Sequence, residues 1–139
     1  MQSSKWDDRF LSLANLVSSW SKDPSTKVGA VIVNDNNQVL STGYNGFPRG
    51  LDDSMEKYSD RPYKYAHVIH AEHNAILHCG HSMKDATIYV THQPCPHCAG
   101  IISSVGIKNV IFKKSDIANK WGDSFDVFRQ TNINVKEIL

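Results

Sequence analysis

The chain has 139 residues, with 15 Lys and Arg against 14 Asp and Glu and a formal net charge of +1. That length suits a single domain over residues 1–139, able to bury about two-thirds of its unfolded surface. A hydrophobic share of 40% with 21% charged residues excludes wholesale disorder. Near-neutrality gives no electrostatic reason to expect a stable nucleic-acid partner or an anionic membrane surface, and the longest strongly apolar run, Ala30–Val33, is far too short to span a bilayer.

Trp6, Phe10, Leu13, Val17 and Trp20 step by four and three, which predicts an amphipathic helix with those five side chains on its core face. Ser3 or Ser4 can cap it, Asp7 and Asp8 suit its first turn, and Asp23-Pro24 stops it. Val28–Asn34 and Gln38–Tyr44 are β-branched-rich runs around Asp35-Asn36-Asn37, the pattern of a hairpin. A Gly/Pro loop over Gly43–Gly50 leads into a polar, aromatic-dotted segment up to Tyr65 that shows no clear periodicity. Ala71–His78 reads as a short helix ended by Gly80, Ala86–Thr91 as a strand, and Pro94–Val105 as a helix with Pro at its start and Gly106 past its end. Asn109–Lys113 is a strand, Asp123–Thr131 a helix and Ile133–Leu139 a last strand. Alternating helices and strands predict a three-layer α/β/α domain. Its sheet is mixed, with an N-terminal antiparallel hairpin and its last strands parallel.

All seven His and all three Cys fall between His67 and Cys98. An odd number of cysteines in one mid-chain cluster is no disulfide framework. Met1–Phe10 mixes Asp, Lys and Ser and carries no secretory-signal pattern, so the expectation is a reducing cytoplasm and metal chemistry. His70-Ala71-Glu72 precedes Pro94-Cys95-Pro96-His97-Cys98. Cysteines three apart at a helix start turn their sulfurs to one side, where free backbone N–H groups favour thiolates. Cys95, Cys98 and His70 would then supply two thiolates and an imidazole to Zn²⁺, leaving one tetrahedral position for water. Glu72 would lie beside the metal without ligating it, placed to carry protons between that water and a substrate. A structural Cys₂His₂ site within a zinc-binding interaction module is the alternative, with His67, His73, His92 or His97 as fourth ligand, and it gives Glu72 no task. Cys79 reads as a small buried hydrophobe. His73 and His78 read as helix-surface or packing residues, His81 as a loop residue and His97 as pointing outward, while His67 and His92 flank the motifs within reach of a substrate.

The His-x-Glu…Pro-Cys-x-x-Cys arrangement resembles the signature of zinc nucleobase deaminases. Nearly the whole chain is similar to the deoxycytidylate (dCMP) deaminases. The similarity runs through Lys22-Asp23-Pro24, Val28-Gly29-Ala30, Gly43-Tyr44-Asn45-Gly46 with Pro48, and His70-Ala71-Glu72-His73-Asn74-Ala75-Ile76. It continues in Ile88-Tyr89-Val90-Thr91 before Pro94-Cys95, and in Gly106-Ile107-Lys108. The resemblance implies a five-stranded cytidine-deaminase-like sheet and conversion of dCMP to dUMP for thymidylate synthesis. It also implies a homo-oligomer, a hexamer in many members, activated by dCTP and inhibited by dTTP with Mg²⁺. Gly43, Asn45, Gly46, Phe47, Arg49 and Gly50 would contribute to that regulatory site.

Residue chemistry suits a small anionic nucleotide. Asn45 offers an amide to sugar or base, or is simply a turn residue. Ser25, Thr26 and Lys27 could present hydroxyls and an ammonium to a monophosphate, and Val28 and Ala71 would pack or hydrogen-bond against the base. The insert Leu51–Ala66 contains neither Cys nor His, whereas several relatives hold a second zinc there, so one zinc per chain is expected. Gln93 stands where relatives often have an aromatic, and Phe112 and Trp121 read as core. Other substrates stay open: dCTP, deoxycytidine, or a base in tRNA or single-stranded nucleic acid. The last would need a basic groove with stacking aromatics, and the one adjacent basic pair is Lys113-Lys114.

Overall fold

The computed structural model describes residues 3–113 and 122–139. Their elements run in the order α1 (Lys5–Ser18), β1 (Gly29–Val33), β2 (Val39–Tyr44), α2 (Met55–Ser59), α3 (Arg61–His67), α4 (Ala71–Leu77), β3 (Thr87–Val90), α5 (Pro96–Ser104), β4 (Asn109–Lys113), α6 (Gly122–Gln130) and β5 (Asn134–Ile138). The sheet order is β2-β1-β3-β4-β5. β1 is antiparallel to both β2 and β3, and β3, β4 and β5 are parallel. This is the five-stranded sheet that the resemblance implies, built from the strands that the residue patterns predict.

Period-two alternation divides the strand side chains between two layers. Val31, Val33, Tyr89, Ile111 and Ile138 face α1 and meet Phe10 and Ala14. Ala30, Ile32, Ile88, Val90, Val110 and Phe112 face the other way, onto Ala71 and Ala75 of α4, Ala99 and Ile102 of α5, and Phe128 of α6. β1 is buried throughout, which is why its sequence is apolar without a break.

Two glycines set the layer spacing. A Cβ on Gly29 would stand 2.0 Å from the Ala14 carbonyl oxygen, and one on Gly43 would stand 2.3 Å from the Ala75 backbone nitrogen and 2.5 Å from the Ala71 carbonyl oxygen. Helix backbone therefore rests directly on strand backbone on both faces. That contact corrects the expected stripe of α1. The buried apolar positions are Phe10, Ala14 and Val17, with Leu13 partly buried against the same core and small Ala14 at the closest approach. Trp6 is 37% and Trp20 52% exposed. Trp6 stacks on Phe10 and lies under the Arg9 guanidinium, while Trp20 follows the helix, which ends at Ser18, and meets the edge of Tyr44. Cys79 is likewise not a buried hydrophobe within a helical turn. It lies past the end of α4, is partly exposed, and its thiol donates to the His81 carbonyl.

Helices α2 and α3 occupy the segment where no periodicity was visible. With five and seven residues they are too short to display a 3.6-residue repeat, and only Tyr58 and Lys64 are buried. A local signal did exist, because Asp60 caps α3 and Pro62 occupies its first turn. Phe47 stacks on Tyr58 at 4.3 Å and meets the edge of Tyr63 at 5.7 Å, pinning both helices to the preceding loop. Trp121 and Lys114 lie outside the described residues.

Asp7 ties α1 to the sheet. It is 4% exposed and completes a capping box with Ser4. It also accepts the Tyr89 hydroxyl at 2.9 Å and Lys136 Nζ at 2.6 Å. Burial opposes its charge, but the bonds from Lys136, Ser4 and Tyr89 together hold its pKa below the ordinary 3.8. A carboxylate depressed in this way stabilises the fold fully above its unfolded pKa, and the contribution is lost as pH falls through the lower folded value. Asp7→Asn is expected to cost about 2–3 kcal/mol at pH 7. Urea titrations of both proteins should show this gap closing as the pH is lowered below the ordinary carboxylate range.

Candidate active site

His70 is the N-cap of α4 and Cys95 the N-cap of α5, each with extended backbone. Two helix starts thus converge, bringing His70 against Cys95 and Cys98. The Gly43 contact fixes α4 in this position, and Pro96 in its first turn starts α5. His70 Nδ1 lies 3.5 Å from Cys95 Sγ and 3.3 Å from Cys98 Sγ, and the Cys98 backbone N–H donates to Cys95 Sγ at 3.4 Å. Tetrahedral zinc, with bonds of about 2.0–2.3 Å, sets its ligand atoms about 3.5–3.8 Å apart. The soft–borderline donor set and these separations fit Zn²⁺. Among the described residues this trio forms a group with metal-holding geometry, its ligating atoms all within 4.8 Å of one another. His97 is exposed, and His67 stacks on Tyr63 with its Nδ1 on the Tyr63 carbonyl.

Charge in the trio is in conflict without a cation. Cys98 donates to Cys95, and that bond together with burial pushes the Cys98 thiol up, while the same bond, aided by His70, brings Cys95 down to about 4. The bond to Cys95 raises the pKa of His70. Two adjacent thiolates need a divalent ion to coexist. Glu72 is 4% exposed, and burial raises its pKa from 4.5 to about 7. Its carboxyl meets the Cys98 thiol but is not in the ligating trio. A carboxyl with a pKa near neutrality, next to a metal-ligand cluster, is suited to taking up and returning a proton.

His70, Glu72 and Cys95 form the floor of a cleft of about 690 Å³, ample for a nucleotide-sized molecule. Its walls bring together most of the residues singled out from the sequence: Ser25, Thr26, Lys27, Val28, Asn45, Ala71 and His92. Asn45 is buried and its amide is largely committed. Oδ1 accepts the Val28 N–H at 2.8 Å, and Nδ2 donates to the Thr26 carbonyl at 2.9 Å and to Asp23 at 3.2 Å. Lys27 Nζ turns to the Ser21 carbonyl. His92 is half-buried, with Nδ1 2.8 Å from Thr91 Oγ1 and its pKa lowered by burial. Gln93, also in the wall, donates to Ser124.

Sequence reasoning missed Asp23, Arg61, Lys64, Tyr65 and Val68, which complete the cleft. Lys64 and Asp23 form an ion pair at 2.8 Å with side chains 9% and 3% exposed. The same Asp23 carboxylate accepts the Ser25 and Thr26 backbone N–H groups, so one buried charge folds the wall that carries the expected substrate residues. The Asp60 cap with Pro62 was the available clue to α3. The candidates for a regulatory site are dispersed. Gly43 is covered by α4, and Gly46 bridges to Ile69 through bonds of 3.1 and 2.8 Å. Phe47 lies in the aromatic stack, while Arg49 and Gly50 are exposed, the latter at φ 87°.

The sequence profile of the cytidine and deoxycytidylate deaminase zinc-binding region matches residues 4–114. A protein of Aliivibrio fischeri described as an uncharacterised deaminase in the luxG 3′ region is 44% identical, over 95% of this chain and 92% of its own length. Human deoxycytidylate deaminase is 38% identical, over 86% of this chain and 68% of its own. The dCMP deaminase of cyanophage S-TIM5, solved in complex with dCMP and dUMP, superposes with a TM-score of 0.80 at 28% identity, covering 99% of this chain and 100% of that one. The matched profile spans the His-Ala-Glu motif and both cysteines. By these matches the chain belongs to the cytidine and deoxycytidylate deaminases, a family of hydrolytic enzymes with a zinc-binding region.

Proposed function

We propose that this protein hydrolyses dCMP to dUMP and ammonia, supplying dUMP for thymidylate synthesis in the cytoplasm. The observation that carries this reading is a buried carboxyl, Glu72, touching a His70/Cys95/Cys98 cluster at the floor of a nucleotide-sized cleft. The dCMP-deaminase names of the human and cyanophage relatives support the choice of substrate.

His70, Cys95 and Cys98 would hold one zinc ion per chain. Zinc, when bound there, supplies an activated water by lowering its pKa to about 7. Glu72 takes one proton from the water that adds to C4 and delivers it to N3 of the cytosine ring. It then carries the remaining proton of that oxygen, now the C4 hydroxyl, to the exocyclic amine, and the C4–N bond breaks to release ammonia. Burial of Glu72 serves both transfers, because a carboxyl with a pKa near 7 both accepts and releases protons at neutral pH. Val28 and Ala71 pack on the ring. Asn45, whose donors are occupied, presents its remaining carbonyl lone pair to the sugar. Ser25, Thr26 and Lys27 line the wall at the sugar and phosphate. Regulation by dCTP and by dTTP with Mg²⁺ at the Gly43–Gly50 loop, and a homohexameric assembly, belong to the same reading.

Glu72→Gln is expected to bind zinc stoichiometrically by metal analysis yet lose about 10³-fold or more in kcat; near-normal turnover would remove Glu72 from the proton path. Cys98→Ser should lose most of its zinc and its activity together. Cytosine absorbance should disappear with dCMP far faster than with deoxycytidine, dCTP or a cytosine-containing oligonucleotide, and inert dCMP beside a reactive alternative would overturn the substrate assignment. The dCMP curve is expected to be sigmoidal and to become hyperbolic with dCTP; rates indifferent to dCTP and dTTP would remove the regulatory part.

A further inference from the structure

The three Lys and Arg side chains of the cleft wall differ in what already neutralises them. Lys64 is paired with Asp23 in a bond closed to solvent. Lys27 directs its ammonium to the carbonyl of Ser21. Arg61 is exposed and, among the described residues, makes no ion pair. Its side-chain partner is the neutral hydroxyl of Tyr65, one turn on, at 2.8 Å.

Nothing in the folding of α3 asks for a cation there. Arg61 is the first residue of the helix, the end at which the backbone dipole disfavours positive charge. The guanidinium has five N–H donors, and a single bond to Tyr65 leaves four. Tyr65, itself 64% exposed, accepts from Arg61 and so keeps its own hydroxyl hydrogen to donate. Both side chains line the cleft whose floor holds Glu72 and Cys95. Lys64 cancels the charge of Asp23, which would otherwise repel an anion from this wall. The cleft therefore has its proton-transfer carboxyl at the floor and a braced, uncompensated fork of donors on α3.

We infer that Arg61, held in place by Tyr65, is the specificity-determining residue for the 5′-monophosphate of the substrate. The planar guanidinium matches two phosphate oxygens at once, and Tyr65 donates to a third contact or to a bridging water. The role rests on the deaminase reading of the cleft, and it adds α3 to the wall formed by Ser25, Thr26 and Lys27. Arg61 touches only the group that distinguishes a nucleotide from a nucleoside, so its effect falls on binding and not on the chemical step.

Steady-state kinetics of zinc-loaded wild type, Arg61→Ala, Arg61→Lys and Tyr65→Phe with dCMP and with deoxycytidine test this. Arg61→Ala should raise KM for dCMP about 10- to 100-fold with kcat little changed, and leave kcat/KM for deoxycytidine at its wild-type value. Arg61→Lys should recover part of the loss, since it restores charge without the fork. Tyr65→Phe should show a smaller rise in KM for dCMP alone. Equal losses on both substrates would assign Arg61 a structural role, and an unchanged KM for dCMP would assign it none; either overturns the inference while a dCMP-active wild type leaves the proposed function standing. A wild type inert toward dCMP overturns both.

Discussion

Backbone-to-backbone packing at Gly29 and Gly43 is the constraint on which the rest of this molecule depends. With no Cβ at either position, α1 and α4 lie against the sheet at distances no larger side chain permits. The direction of α4 then decides where its N-cap points, and that N-cap is His70. In the same layer α5 begins just after Cys95 for a similar local reason, an extended cap followed by proline. The cluster is thus assembled from helix starts, whose orientation the core determines, and not from a flexible loop that must find its geometry.

Charge in the cleft follows one rule at two depths. On the floor, carboxyl, imidazole and two thiols are packed so closely that the protonation of each depends on its neighbours, and burial raises the carboxyl to about 7. In the wall, Asp23 and Lys64 are equally buried but matched, and Asp23 spends its remaining acceptor capacity on backbone N–H groups and Asn45. The first arrangement is reactive and the second rigid. Breaking the matched pair would leave a buried charge uncompensated, a costly state that would disorder the loop it organises.

The sheet, its order of elements and the grouping of His70, Cys95 and Cys98 beside Glu72 were legible because their signals are periodic or carried by rare residue types. β-branched runs, helix stops and a His-x-Glu with Cys-x-x-Cys are patterns that survive without tertiary information. What was not legible depends on distance through space. Trp6 and Trp20 satisfy the helical spacing, yet Ala14 takes the core contact because Gly29 brings the strand too close for a large side chain. Asn45 could be weighed between substrate contact and turn residue, but its partners Asp23, Thr26 and Val28 only become neighbours in the fold. Arg61, Lys64 and Tyr65 sit on a helix of seven residues, below the length at which periodicity speaks, and contribute to the cleft by their order on that single helix.

The confinement of α3 between Asp60 and the Gly46–Ile69 bridge bears on which lengths of chain this protein can tolerate. Successive helical residues turn by about 100°, so one residue gained or lost between Arg61 and Lys64 would take one of the two off the cleft-facing side. The hairpin tip at Asp35–Asn37 is exposed and carries no cleft residue, so added residues there would leave the site untouched. Natural variation in length among proteins with this cleft should therefore collect at the hairpin tip and spare the seven residues of α3.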